Sequence, residues 1–313
     1  MKIIRGIPGI KLGLTQPVVT IGNFDGVHLG HQEIFRQALE CARTINGEMV
    51  VFTFHPHPLK ILLPEKCPPL LNTFREKVEL LRNIGIDIFV CLHFTRSFAE
   101  MSPSLFIKDV LIDKVGMKKM FVGYDFGFGK DRGGKIDAIQ DAGGKYGFTV
   151  NVVPPLKIKD AVVSSTFIRN LIINGNVEEA EKYLGRHYCV RGRVVGGAKR
   201  GRELGFPTAN INIFDKIIPV SGVYLAETEV DGVKYASLVN VGLRPTFGVN
   251  ELAIESYILD FNRDIYGKFI KVHFCRRLRD ELKFKSAAEL KAKMDEDLEE
   301  ARKYFNCKKM VMN

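Results

Sequence analysis

Closely spaced cysteine pairs are the first thing this chain lacks. Its six cysteines, Cys41, Cys67, Cys91, Cys189, Cys275 and Cys307, are scattered and never stand at metal-binding or redox spacing. A chain of 313 residues can bury a core without staples, so a disulfide scaffold and a CxxC motif are both excluded. Reduced thiols in a cytoplasmic protein are the expectation. Long apolar runs are also missing. None approaches the roughly 18–20 residues that a bilayer span needs, so no membrane partner is expected. No long apolar stretch follows the first charges, so no signal peptide is expected. Internal repeats and low-complexity tracts are absent too, which excludes a solenoid or a tethering segment.

What is present is an ordinary globular composition with 46% hydrophobic and 26% charged residues. The length allows one large domain or two of usual size. A net charge of +10 favours anionic partners, either nucleic acid or phosphorylated small molecules.

The first half alternates two periods. PVVTIG (17–22), EMVVFTF (48–54), DIFVCLHF (87–94), KKMFVGYDF (118–126) and TVNVVPPL (149–156) read as buried strands. Between them, 31–45, 74–85, 103–116 and 137–148 carry apolar residues at helical spacing. Repeated β-α-β order predicts an α/β domain with a parallel sheet covered by helices. A helix over 177–186 stops at Gly185, and the pattern then changes. YCVRGRVV, TANINI, GVYLAETEV, VKYASLVNV, LAIESYILDF and KFIKVHFCRRL follow with no helix between them, and Asp231-Gly232 marks a hairpin. These predict a small antiparallel β-barrel. An amphipathic terminal helix over 286–305 carries Leu290, Met294, Leu298, Ala301 and Phe305 on one side. The expected domains are 1–183 and 184–313.

GNFDGVHLGH (22–31) lies at a strand-to-helix junction, where doubly wound sheets bind ligands. Gly22, Gly26 and Gly30 let the backbone turn tightly. His28 and His31 are three apart, so one helical turn brings them to the same side. Imidazoles there can donate to a phosphate, or they can be a plain polar helix start. No Gly-Lys-Ser/Thr follows, so this is not a Walker loop, and two histidines without a third ligand make a poor metal site. Further on, Ser164, Ser165 and Thr166 are strong N-cap types, with Arg169 on the same face. An anion held at that helix start and an ordinary cap are both open.

His28-Leu29-Gly30-His31 together with Ser164-Ser165-Thr166-Phe167-Ile168-Arg169 resembles the HxGH and SSTxIR pair of the HxGH nucleotidyltransferases, a Rossmann-like fold. GNFDGVHLGHQ is similar to the segment found in bacterial bifunctional riboflavin kinase/FAD synthetases. The resemblance implies that the first domain transfers AMP from ATP to FMN. It gives His28 and His31 to the charge of the reacting phosphates. Ser164, Ser165, Thr166 and Arg169 go to the ATP phosphates, and Gly22, Asn23 and Asp125 to the nucleotide or flavin cleft. Two positions depart from the family pattern, Gly127 and Phe167, where arginine is common; Lys130 or Arg132 stand close enough in sequence to substitute. FTFHPHP (52–58) suggests metal through His55 and His57, but its prolines favour a rigid loop shaping the flavin side.

GGAKRGRELGFPTANINI (196–213) sets Lys199, Arg200 and Arg202 in a Gly-rich loop suited to phosphate. Thr208 and Asn210 are two apart, so on a strand they face the same way, and two neutral oxygens suit Mg²⁺ already bound to a nucleotide. With LVNVGLRPTFG (238–248) and IESYILDFNRDIYGKFIKVHFCRRLRDELKF (254–284), this stretch resembles the riboflavin kinase domain along nearly its whole length. The resemblance gives Thr208 and Asn210 to Mg-ATP and makes Glu255 the general base. Leu252, Ile254, Ile258 and Leu259 around it suggest a low-polarity setting; an outward-facing glutamate on an alternating strand is the other register. Tyr257 stands where the family often has histidine. Arg276, Arg277 and Arg279 either steer ATP or are solvated.

The expectation is therefore a cytoplasmic enzyme that makes FMN from riboflavin and FAD from FMN, with ATP and Mg²⁺. Its partners are these small molecules. A basic nucleic-acid-binding protein would instead show a Lys/Arg stripe with stacking aromatics, and no such run is present. The sequence sets no oligomeric state.

Overall fold

The computed structural model describes residues 1–10, 13–129, 133–196, 205–213, 216–246 and 249–311, leaving out the side chains of 243–252 and 308–311. Lys130, Arg132, Lys199, Arg200 and Arg202 lie outside the described residues. Contacts divide the chain into two compact units, Met1–Ser165 and Thr166–Asn313.

The first unit is built on a six-stranded sheet. Its strands are β1 (Lys2–Arg5), β2 (Val18–Ile21), β3 (Met49–His55), β4 (Ile88–His93), β5 (Lys119–Gly123) and, after two short strands β6 (Gly127–Phe128) and β7 (Gly134–Lys135), β8 (Thr149–Val153). Their order is β1-β4-β3-β2-β5-β8, and every neighbouring pair is parallel. The helices are α1 (Leu29–Thr44), α2 (Pro58–Leu62), α3 (Phe74–Ile84), α4 (Arg96–Ala99), α5 (Pro103–Leu105) and α6 (Ile136–Tyr146). Alternate strand residues point to opposite faces. Val18, Met49, Val51, Phe89 and Phe121 pack with Phe35, Ala38 and Leu81 of α1 and α3. Val19, Ile21, Val50, Phe52 and Met120 pack with Phe106, Val110 and Ile139 on the other face. Burial on both faces is why these strands read as continuous apolar runs.

The helix expected over 103–116 takes a different form. After α5 the chain widens into a π-helix over Phe106–Ile112. Asp113 N donates to Lys108 O and Val115 N to Val110 O, each five residues back. Phe106, Ile107, Val110 and Leu111 pack together on the sheet from this wider turn. Edge strand β1 carries no alternation strong enough to announce itself.

The second unit contains α7 (Ser165–Ile173), α8 (Val177–Leu184), a barrel and a terminal helix α9 (Ala287–Val311). Between the units' strands, β9 (Lys157–Ile158) and β10 (Ala161–Val162) form a short hairpin. The barrel strands are β11 (Tyr188–Val195), β12 (Thr208–Asn212), β13 (Gly222–Val230), β14 (Val233–Thr246), β15 (Val249–Ile258) and β16 (Phe269–Arg279). They close in the order β11-β12-β15-β14-β13-β16, all antiparallel, which leaves no free sheet edge. Asp231 and Gly232, with φ of 52° and 85°, make the expected two-residue turn between β13 and β14.

Tyr224, Val239, Ile254, Val272 and Phe274 are buried in the barrel. Thr228, Ser237 and Ser256 form a buried hydroxyl cluster there, at 2.8–2.9 Å, and Ser237 Oγ donates to Ala226 O at 2.8 Å. Outside the barrel, Ala301 and Phe305 of α9 cover Val223, Leu225 and Leu238. Arg279 clamps the helix through Asp297 with Nε and Nη2 at 2.7–3.1 Å. Arg276 lies 3.8 Å from Glu300, and Arg277 bonds Ser221 O and Asp280. These three arginines therefore have structural partners. Phe167 does too, packing edge-on against Tyr183 with ring centroids 4.8 Å apart.

Candidate active sites

In the first unit the chain runs from β2 through β3 to β4 on one side, then crosses to β5 on the other. The loops after β2 and β5 diverge at that reversal, the usual place for a ligand crevice in an open parallel sheet. The loop after β2 is Gly22–His28, and Asp125 is an exposed residue just after β5.

The β2–α1 turn has an unusual backbone. Phe24, Gly26 and Val27 have φ of 47°, 86° and 44°. Gly26 adopts this freely, but a β-branched residue there costs on the order of 1–3 kcal/mol. Val27 is fully buried, so surrounding packing holds it. Phe24 folds its ring back over Gly22, where an added Cβ would lie 2.9 Å from the ring. The same ring meets His31 edge-on at 5.2 Å and Phe35 at 4.8 Å.

His28 is the N-cap of α1, and its Nδ1 accepts from His31 N at 3.3 Å. That bond gives Nδ1 the acceptor role and leaves Nε2 to carry the proton. The His28 and His31 rings stack with centroids 3.6 Å apart, so spacing and cap together make one imidazole surface at a helix N-terminus. A Cβ on Gly30 would press on the His28 ring at 3.3 Å, which keeps position 30 bare. Ser165 joins this turn, its Oγ donating to Asp25 O at 2.9 Å. Ser164 precedes it, partly buried. Thr166 is exposed and Arg169 buried on α7.

Three residues with no place in the sequence expectation hold the turn. The Asp25 carboxylate accepts from Leu71 N at 3.0 and 3.2 Å and from Asn72 N at 3.4 Å. Asn72 Oδ1 accepts from Gly26 N. Lys77 Nζ donates to Asn23 O at 2.5 Å. Burial pushes the Lys77 ammonium down to about 8 despite the attraction of Asp25 and Cys91. The Asn23 side-chain oxygen is buried with no hydrogen-bond partner among the described residues.

His55 and His57 each have local work. His57 caps α2 by accepting from Leu59 N at 3.2 Å, and His55 packs on Phe74 at 5.0 Å. Burial and the nearby Lys77 charge hold His55 below the usual histidine range. Among the described residues no cluster of three or more His, Cys, Asp or Glu side chains could hold a metal.

In the second unit the site is a row set by strand register. Asn210 pairs directly with Glu255, and Glu255 pairs on its other side with Asn240. Thr208 pairs with Tyr257, and its Oγ1 lies 3.5 Å from Glu255 Oε2. Ile254, Ser256 and Ile258 are buried on the alternate face, with Ser256 in the interior hydroxyl cluster. Glu255 therefore occupies the outer, half-buried face, not the apolar setting suggested by Ile254 and Ile258. Outward placement is what brings it to Thr208 and Asn210. Tyr257 packs against Phe206 at 5.2 Å and joins the patch under α9. Asn210 is 6% exposed, and its Oδ1 has no hydrogen-bond partner among the described residues. Neutral amide and hydroxyl oxygens beside a carboxylate are hard donors, the set Mg²⁺ prefers when nucleotide phosphates complete its shell. Asn240 was invisible in the sequence; only pairing across β14 and β15 adds it to the row.

Comparison with known proteins finds two family matches in chain order. Residues 12–167 match the FAD synthetase family and residues 184–305 the riboflavin kinase family. The bifunctional riboflavin kinase/FMN adenylyltransferase of Buchnera aphidicola subsp. Acyrthosiphon pisum is 38% identical, covering 99% of this chain and 100% of its own. The protein of the same description from Escherichia coli is 37% identical over 99% of each chain. A crystal structure from Streptococcus pneumoniae, described as a macrolide-efflux protein, shares 34% identity at a TM-score of 0.88, covering 96% of this chain and 99% of its own. Among the described residues no helix here is long and apolar enough to cross a membrane. With both halves matched in order and relatives aligned end to end, this chain belongs to the bifunctional riboflavin kinase/FMN adenylyltransferase family.

Proposed function

We propose that this protein phosphorylates riboflavin to FMN and then transfers AMP from ATP to FMN, giving FAD and pyrophosphate. The observation that carries this reading is end-to-end similarity: relatives named for both activities align over 99% of this chain and 99–100% of their own length, so the match takes in both halves. Adenylyl transfer is assigned to residues 1–183 and phosphorylation to residues 184–313. α7 and α8 precede that boundary but group by contact with the barrel unit.

In the kinase half, Glu255 is the general base. It takes the proton of the ribityl 5′-hydroxyl as that oxygen bonds to the γ-phosphorus and the bond to the departing ADP breaks. The outward register of Glu255 supports this, because the carboxylate stands beside Thr208 and Asn210 and clear of the barrel interior. Thr208 and Asn210 would hold Mg²⁺ with ATP, and that ion would neutralise phosphate charge. Lys199 and Arg200 are assigned to the phosphates from sequence alone.

In the adenylyltransferase half, an FMN phosphate oxygen bonds to the α-phosphorus of ATP while the bond to pyrophosphate breaks. The attacker is already anionic, so charge neutralisation and alignment are the requirements. His28 and His31 supply donors at a helix N-terminus, and their stacking supports a joint role. Ser164, Ser165, Thr166 and Arg169 are assigned to the ATP phosphates, and Gly22, Asn23 and Asp125 to the cleft.

The test is incubation with riboflavin, ATP and Mg²⁺ followed by separation of the flavins. FAD is expected. FMN alone would remove the adenylyltransferase assignment, and unchanged riboflavin would remove the kinase.

A further inference from the structure

The β2–α1 turn carries two histidines on a backbone that takes positive φ at Phe24, Gly26 and Val27. Such a turn needs support from outside itself, and the support comes from one short segment. Leu71 N and Asn72 N bind the Asp25 carboxylate, Asn72 Oδ1 receives Gly26 N, and Lys77 Nζ donates to Asn23 O at 2.5 Å. Thr53 Oγ1 reaches the same Asn23 carbonyl at 3.4 Å. The capping box of Thr73 and Glu76 fixes the start of α3, so Lys77 projects from a rigid first turn.

We propose that Lys77 is a positioning residue for adenylyl transfer: it pins the Asn23 carbonyl so that the turn delivers His28 and His31 to the reacting phosphates. The proposal rests on the adenylyltransferase reading above.

A lysine is an expensive way to hold one carbonyl, since an amide or hydroxyl donor would do. Lys77 makes this one hydrogen bond among the described residues and leaves two ammonium donors over. The groups facing it are Asp25 from the turn, Cys91 from β4 and His55 from β3. Burial outweighs the first two and lowers the ammonium to about 8. The fold thus keeps a costly cation beside a turn meant for polyphosphate, where positive charge is useful as well as the bond. The protonated form acts, so the contribution is full well below pH 8 and is lost as pH rises through about that value.

The full-length chain, Lys77→Met and Lys77→Arg are compared for FAD formation from FMN and ATP, and for riboflavin phosphorylation in the same preparations. Lys77→Met is expected to lose about tenfold or more in kcat for FAD formation, with KM for FMN changed less than about threefold. Its phosphorylation of riboflavin stays within about twofold of the parent, because that site lies in another compact unit. Lys77→Arg is expected to recover at least about a third of the parent rate and to lose the fall in rate above pH 8, since arginine does not titrate there. Removing a desolvated ammonium should leave the unfolding temperature unchanged or raised. Parental FAD formation by Lys77→Met would overturn the proposal. So would a lowered unfolding temperature that Lys77→Arg fails to restore, or an alkaline fall that persists in Lys77→Arg. If the parent itself makes no FAD, the adenylyltransferase reading fails and takes this proposal with it.

Discussion

In the first unit the reactive side chains ride on a turn; in the second they ride on paired strands. The turn needs unusual backbone angles at Phe24, Gly26 and Val27 and a bracket from the segment around α3. The strand site needs only register, because Asn210, Glu255 and Asn240 fall into line once β12, β15 and β14 pair. A turn brings backbone and side chains close to a ligand but stores strain that something else must hold. A ladder costs little and is all-or-none, since a slip of one residue would send Glu255 inward and Ile254 outward. Losses at the strand site should therefore follow single side chains, whereas losses at the turn should also follow its distant supports.

The largest effect is expected at the strand site. Glu255→Gln keeps the shape and the register and removes only the basic oxygen. Riboflavin phosphorylation should fall about 10²–10⁴-fold, while FMN supplied directly is still converted to FAD. The comparison would break if phosphorylation stayed near the parent rate, because Glu255 would then be one more polar residue on an outer strand face.

His31→Ala is next. It removes a donor and the ring stacked on His28 at 3.6 Å. FAD formation should drop about 10²–10³-fold, the usual cost of losing one preorganised group that meets developing charge. FMN should still accumulate from riboflavin. Equal loss of both products would show that the change had damaged the whole chain, and parental FAD formation would remove His31 from the mechanism.

Local signals in the sequence were enough for the layers of the fold. Parallel strands declared themselves by continuous apolar runs and the barrel by closely spaced strands. The three-residue interval of His28 and His31 foretold that they share a side, as their stacked rings do, but left phosphate binding and a plain helix start both open. Long-range supports left no such trace. Asp25 finds Leu71 46 residues away, and Lys77 finds Asn23 across 54; nothing local marks either pair. Register was undecidable for a related reason. Around Glu255 both faces of β15 carry some apolar residues, Ile254 and Ile258 on one and Tyr257 on the other, so alternation alone could not say which way the carboxylate points. Arg276 and Arg279, in the last residues of β16, read as ATP-steering or solvated because their partners, Glu300 and Asp297, sit on a helix whose docking the sequence did not specify.

The smallest effect sharpens the comparison most, because it adds the same single methyl at both sites. At Gly22 the new Cβ would stand 2.9–3.2 Å from the Phe24 ring. That ring cannot simply swing aside, since it is packed on Phe35 at 4.8 Å and on His31 at 5.2 Å. Moving it drags the histidine. At Gly242 in β14 the new Cβ would meet Glu281 Oε1 at 2.8 Å and Asn240 Nδ2 at 3.2 Å. Glu281 is exposed, so its carboxylate can swing into solvent. Gly22→Ala should therefore lower FAD formation by about fivefold, roughly 1 kcal/mol of lost alignment, and Gly242→Ala should change riboflavin phosphorylation less than about twofold. The measurement is the ratio of the two rates in each variant. If Gly22→Ala leaves FAD formation untouched, the turn is more forgiving than its backbone angles imply. The contrast between a braced turn and a self-aligning ladder would then have to rest on the Asp25, Asn72 and Lys77 contacts alone.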